Sequence, residues 1–148
     1  MLNRTRVDLS PTLTILRATL WAHLNPDDLD ILRWSVTDFK LIKGFTSARF
    51  TELHKTDLSW LNAQVEQIRT EERTRSVIIF THHASTMGTG DPKYAGGPTE
   101  SAFATPVKVW AFGHTHWSCD MVKKEVLSNQ RGYSKGDKGW NPEFVLRV

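Results

Sequence analysis

The run Ser76-Val77-Ile78-Ile79-Phe80-Thr81 constrains the fold of this chain more than any other stretch. It is short and almost continuously apolar, it follows a charged helix end, and it stops at His82-His83. A half-exposed strand alternates polar and apolar side chains, whereas a strand covered on both faces of a layered α/β protein does not. The run therefore predicts a central strand of an α/β fold. The loop that follows such a strand is a common place for functional side chains.

A second predicted strand also ends in histidines. Val107 to Phe112 is apolar apart from Lys108, and Gly113-His114-Thr115-His116 follows directly. Residues two apart on an extended backbone point to the same side, so His114 and His116 would face one point, while at most one of His82 and His83 can do so. Imidazoles gathered at neighbouring strand ends suit Zn, Mn, Fe or similar ions. The alternative is that they are polar residues capping strand ends beside a loop.

Two helices are predicted before the central strand. Asn25-Pro26-Asp27-Asp28 has an N-cap residue, a proline at the first helical position and acids in the first turn. Thr46-Ser47 caps the second helix. Both helices carry apolar residues at spacings of three and four, and Gly44 ends the first one. The two apolar stripes are Leu29, Leu32, Val36 and Phe39, and Leu58, Leu61, Val65 and Ile68. We interpret His54, in the second helix, and His23, in a loop, as surface residues.

The remaining pattern consists of strands and loops. Leu13 to Trp21, bounded by Pro11, is predicted to be the first strand, with its buried face left open. The segment 85–106 is rich in Gly, Pro and Thr and is predicted to be a long loop without a phosphate-binding glycine motif. A turn at the lysines and a strand are predicted within Met121 to Ser128, and a closing strand over Glu143 to Val148.

The composition favours one soluble domain over residues 1–148. Its 39% hydrophobic and 24% charged residues are ordinary for a globular protein, and the net charge of +3 is scattered, which gives no support for nucleic-acid or membrane binding. The single cysteine, Cys119, fits a reducing compartment. The sequence has neither a signal peptide nor a membrane-spanning run, so a cytoplasmic location is the default expectation.

The two histidine-bearing motifs resemble the last two motifs of the calcineurin-like metallophosphoesterases. The matching stretches are Val77 to Ala84 and Trp110 to Trp117, and Asn129 to Tyr133 is similar to fungal Ser/Thr phosphatase-like members of that family. The resemblance implies a portion of a four-layer α/β/β/α sandwich with mixed sheets. It also implies a dinuclear centre of Mn, Zn or Fe that hydrolyses phosphate esters with a metal-activated hydroxide.

Carried over residue by residue, the resemblance makes His82 and His114 ligands of one metal ion and His116 a ligand of the other. His83 would lie near the substrate phosphate or be structural. The family supplies its other ligands from earlier motifs, D-x-H, G-D-x-x-[DY] and G-N-H, and none of these precedes His82 in this sequence. Gly90 to Tyr94 matches the middle motif in letters but follows His82 instead of preceding it.

The resemblance therefore implies the C-terminal half of a metallophosphoesterase domain, inactive or nearly so as this chain alone, with no catalytic residue identified. A sheet without its other half would leave an edge and an apolar face for a partner or for self-association. The alternatives are a metal-binding module without catalysis and a non-catalytic interaction remnant. A serine hydrolase is excluded because no G-x-S-x-G motif is present. Cys119 as a nucleophile lacks an orienting third group.

Overall fold

The fold is described from a computed structural model that covers residues 4–83, 110–112, 119–121, 126–128, 141 and 143, with only the backbone described between 110 and 128. Within these residues the chain forms six strands and three helices. They are β1 (Thr5–Ser10), β2 (Leu13–Ala18), α1 (Leu29–Ser35), α2 (Thr37–Leu41), α3 (Ser47–Glu71), β3 (Ser76–Thr81), β4 (Trp110–Phe112), β5 (Cys119–Met121) and β6 (Val126–Ser128). A 3-10 turn, Pro26–Asp28, precedes α1.

The strands form one mixed sheet in the order β1-β2-β3-β4-β6-β5. The pairs in its centre are parallel, from β2 through β3 and β4 to β6, and the two outer pairs, β1–β2 and β5–β6, are antiparallel. β2 and β3 are joined through the helices, as a parallel pair requires. The predicted α/β class is therefore confirmed, and β3 lies in the middle of the sheet.

α3 packs on one face of this sheet. Its N-cap is Thr46, whose hydroxyl accepts a hydrogen bond from the Arg49 backbone N–H at 3.1 Å, so the predicted start is confirmed. Its apolar stripe packs against alternate residues of β2 and β3. This core contains Leu16, Ala18, Leu20, Leu61, Ile68 and Ile79, with Leu58, Trp60, Val65 and Val77 packed against it. Each fully buried leucine or isoleucine contributes about 1.5–3 kcal/mol.

The prediction that Leu13 to Trp21 forms the first strand is wrong in two respects. β1 precedes it, and the extended backbone ends at Ala18. β1 was missed because it lies at the sheet edge, where charged residues such as Arg6 and Asp8 hide the apolar pattern. β2 ends early because Leu20 has a φ of 50°, outside the extended region.

The first predicted helix is divided in two. Asn25 caps it as predicted, with its side-chain oxygen accepting from the Asp27 N–H at 3.2 Å. Val36, however, is extended, with a ψ of 121°, and separates α1 from α2. A β-branched residue is a weak helix former, so Val36 takes this conformation readily. The predicted apolar face nevertheless holds, but α2 ends at Leu41, three residues before the predicted end at Gly44, which has a φ of 73°.

Other predictions are tested in part. The strand that ends at Phe112 and the strand that ends at Ser128 are confirmed over the residues of β4 and β6. β5 was not predicted as a strand. Glu143, the first residue of the predicted closing strand, is in a turn, and the rest of that strand and the loop 85–106 lie outside the described residues. In the described part of the chain, no helix is long and apolar enough to span a membrane.

Candidate functional site at the carboxyl ends of the central strands

The carboxyl ends of β2, β3 and β4 lie side by side at one edge of the sheet. Ala18 pairs with Thr81, and Thr81 pairs with Phe112, in parallel register. The segments that follow these strands therefore start within about 5 Å of their neighbours, the spacing between paired strands. His82 follows Thr81 directly. His114 and His116 are outside the described residues, so their prediction as metal ligands is not tested.

His82 and His83 have opposite environments. His82 is exposed, whereas His83 is 1% exposed. The backbone N–H groups of both residues donate to the carbonyl oxygen of Thr19, at 3.2 and 3.1 Å. The Thr81 hydroxyl donates to the His83 carbonyl at 2.6 Å. These bonds attach the segment after β3 to the segment after β2, and they leave the His82 side chain at the surface of the strand edge.

His83 packs among aromatic rings. Its ring centroid lies 5.4 Å from that of Trp21 and 5.9 Å from that of Phe50 in α3. The ring of His82 lies 5.2 Å away and perpendicular to it. His83 is predicted either to lie near the substrate phosphate or to be structural. Its burial favours the structural role, because the buried imidazole anchors the backbone beneath His82.

The segment after β2 is held by an acidic side chain of α3. The Leu20 N–H donates to Oδ2 of Asp57 at 2.9 Å, and Oδ1 of Asp57 accepts from the Arg4 guanidinium at 2.6 Å. Asp57 is 3% exposed. Both carboxylate oxygens therefore have partners, as a buried charge requires.

His54 of α3 contacts the same segment. The prediction that it is a surface residue is wrong, since it is 4% exposed. Its Nδ1 forms a hydrogen bond with the Trp21 carbonyl, and because a carbonyl only accepts, Nδ1 carries the proton. Burial lowers the pKa of His54, and the bond to Trp21 partly opposes this effect. His23 is exposed, as predicted, and its ring centroid is 5.7 Å from that of His54.

Asp57 and His54 were missed as site-supporting residues, although the sequence contains a signal for them. Phe50, His54, Asp57, Leu61 and Ile68 are the buried residues of α3, at helical spacings of four, three, four and seven. Two polar residues in register with an apolar stripe belong to the same helix face. Their polar atoms are satisfied there, His54 by the Trp21 carbonyl, and Asp57 by the Leu20 N–H and the Arg4 side chain.

Of the three predicted metal ligands, His82 alone lies among the described residues. His82 offers an exposed imidazole, a ligand type that Mn, Zn and Fe accept. The Asp57 carboxylate is bonded to Leu20 and Arg4 and is not positioned as a ligand. In the part of the chain that the structure describes, no three His, Cys, Asp or Glu side chains come together as a metal-binding group.

Comparison with curated proteins finds a relative from a mimivirus. The chain is 25% identical over 156 residues to a protein of Acanthamoeba polyphaga mimivirus named Uncharacterized protein L509. The match covers 92% of this chain and 56% of the relative, so the chain spans little more than half of the relative's length. No protein-family model matches the chain. No solved structure matches it significantly.

Proposed function

We propose that these 148 residues form part of a calcineurin-like metallophosphoesterase domain and carry one side of its dinuclear metal site. His82 and His114 are ligands of one divalent ion, and His116 is a ligand of the other. The observation that carries the proposal is the parallel register of β3 and β4, with His82 exposed at their shared end.

The register supports the ligand set because it fixes where the two motifs leave the sheet. Thr81 and Phe112 are paired at the ends of adjacent strands, and His82 and Gly113 are the residues that follow them in the sequence. His114 follows one residue later and His116 two residues after that. Three imidazoles that start from neighbouring strand ends are within reach of a common metal centre.

The charge of this ligand set argues that the chain alone is catalytically incomplete. Neutral imidazoles do not offset the charge of two divalent ions, and two-metal hydrolases hold their ions roughly 3.5–4 Å apart. Carboxylate ligands from a further segment are therefore part of the proposal. The ions, when bound, would polarise the phosphoryl group and lower the pKa of a bound water. The residues of this chain orient His82 and keep its backbone fixed.

The four-layer architecture belongs to the same proposal. α3 and the mixed sheet supply one helix layer and one sheet layer. On the opposite face of the sheet, Phe80 is 36% exposed, although Ile78 is buried. A second sheet would pack against this face.

Metal binding and turnover by the purified chain test the proposal. After dialysis against a chelator, we expect the chain to bind about one equivalent of Mn²⁺ or Zn²⁺ in equilibrium dialysis. We expect this binding to weaken by about tenfold or more in His82→Ala and in His114→Ala. His23→Ala removes an exposed imidazole outside the ligand set and is the matched control, with unchanged affinity.

Phosphatase assays with p-nitrophenyl phosphate and bis-p-nitrophenyl phosphate are run on the same samples, and we expect background rates. Metal binding that is indifferent to both histidine substitutions contradicts the ligand set. Turnover that disappears in His114→Ala supports the family and overturns the incompleteness of the chain. If the chain binds no metal at all, the proposal fails, and an interaction remnant of the fold is the better description.

A further inference from the structure

The peptide unit between Thr19 and Leu20 is bonded at both ends to different parts of the fold. Its N–H, on Leu20, donates to Oδ2 of Asp57 at 2.9 Å. Its carbonyl, on Thr19, accepts from the backbone N–H groups of His82 and His83. We propose that Asp57 is a positioning residue, which orients this peptide so that its carbonyl holds the backbone of the two histidines.

The planarity of the peptide makes this coupling direct. In a trans peptide the C=O and N–H groups lie in one plane and point in opposite directions, so fixing one end fixes the other. The Asp57 carboxylate is itself held in place, because Arg4 binds its second oxygen and α3 is packed on the sheet. A buried carboxylate on a rigid helix therefore acts, through one peptide, on the segment after β3.

The conformation of Leu20 shows why such a contact is needed. Its φ of 50° is in the left-handed region, which side chains with a Cβ rarely adopt. Leu20 is fully buried in the core, so its side chain fixes the residue on one side while Asp57 holds its N–H on the other. A strained backbone of this kind persists only where its surroundings determine it, and such residues cluster at functional sites.

His54 and Asp57 of α3 both form hydrogen bonds to the segment after β2, and of these two, Asp57 binds the peptide that holds His82. His54 bonds to the carbonyl of Trp21, which belongs to a later peptide. Asp57 bonds to the peptide that receives the His82 and His83 N–H groups. The consequence for metal binding rests on the proposed function, since an imidazole ligand must be oriented by its backbone and its neighbours.

Amide hydrogen exchange in the metal-free chain tests the backbone contact. We expect the His82 and His83 amides to exchange about tenfold faster in Asp57→Ala, the change expected for loss of one buried hydrogen bond. Amides of the β1–β2 pair serve as the internal reference and keep their rates. Asp57→Asn retains an oxygen acceptor for the Leu20 N–H and is expected to restore slow exchange.

Arg4→Met is the matched control, because it removes the ion pair of Asp57 and leaves the bond to Leu20. We expect its exchange rates at His82 and His83 to change less than those of Asp57→Ala. Asp57→Ser, whose hydroxyl is too short to reach Leu20, provides the same comparison if the alanine variant does not fold. Unchanged exchange at both histidines, equal acceleration in β1–β2, or failure of Asp57→Asn to rescue overturns the proposal.

Mn²⁺ affinity separates this inference from the proposed function. We expect Asp57→Ala to bind Mn²⁺ about tenfold more weakly, with Asp57→Asn close to the original chain. If exchange responds as expected and the original chain binds no Mn²⁺, the contact stands and the metal site fails. If the original chain binds Mn²⁺ and exchange at the histidines does not respond, the positioning role fails and the metal site stands.

Discussion

Replacement of Phe50 by alanine is expected to be among the most destabilising single changes in the described part of the chain. The side chain is fully buried, and its ring lies 4.9 Å from Trp21, 5.7 Å from Phe39, 6.0 Å from Phe45 and 5.9 Å from His83, measured between centroids. Phe→Ala changes in cores cost about 3–5 kcal/mol, and each aromatic pair adds about 0.5–1.5 kcal/mol beyond its buried area. We expect a loss near 4 kcal/mol, which is a large fraction of the roughly 5–15 kcal/mol that stabilises a domain.

Urea unfolding followed by far-UV circular dichroism measures this loss. Phe50→Leu keeps much of the apolar volume and is expected to lose about 1–2 kcal/mol. Trp34→Ala is the control for removal of a large apolar side chain without burial, since Trp34 is 80% exposed. Its free energy of unfolding is expected to change by no more than about 0.5 kcal/mol.

The test compares how much free energy of unfolding each of the three variants loses. If Phe50→Ala loses less than about 1 kcal/mol, or no more than Trp34→Ala, the aromatic cluster around Phe50 is not a packed core. The anchoring of His83 against Phe50 and Trp21 would then have no energetic basis.

Two further predictions concern pH. Hydrogen bonds from Arg6 hold the pKa of Glu72 below its ordinary 4.5 and the pKa of Asp8 below its ordinary 3.8. Both carboxylates therefore stabilise the fold above those ordinary values. This contribution is lost as the pH falls through the lower pKa values of the folded state. Glu72→Gln is therefore expected to flatten the acid limb of a plot of unfolding free energy against pH. Burial depresses the pKa of His54 below its ordinary 6.5, so the unfolded chain binds this proton first and stability falls as the pH drops below 6.5. His54→Gln is expected to remove that slope and His23→Gln to preserve it, and equal slopes in both variants would refute the assignment.

The elements that sequence reasoning located correctly are those whose local pattern agrees with their tertiary position. The apolar run of β3 predicts a strand inside the sheet, and the apolar stripe of α3 predicts one covered helix face, and both are found. β1 could not be found in this way because it lies at the sheet edge, where polar and charged residues interrupt the apolar pattern. Val36 could not be identified as a break because the apolar spacing continues through it.

The candidate site was predictable only where local sequence determines it. His82 follows a buried strand, and its place at the strand end comes from that strand. Helical spacing places Asp57 on the buried face of α3, but its partner is a backbone group 37 residues away, which no local pattern specifies. His114 and His116 remain predictions, supported by the register of the strand that precedes them.

The parallel pairing of β2 with β3 also delays completion of the sheet during protein synthesis. β1 and β2 are joined by a tight turn and can pair as soon as both are made, but Ala18 pairs with Thr81. At about 5–20 residues per second, the roughly 60 intervening residues take about 3–12 s to translate. During that time the edge of β2 that pairs with β3 has unpaired backbone N–H and C=O groups in the nascent chain. A chaperone that recognises extended apolar segments would therefore find its target in Leu13–Ala18 of the nascent chain, before α3 and β3 have been made.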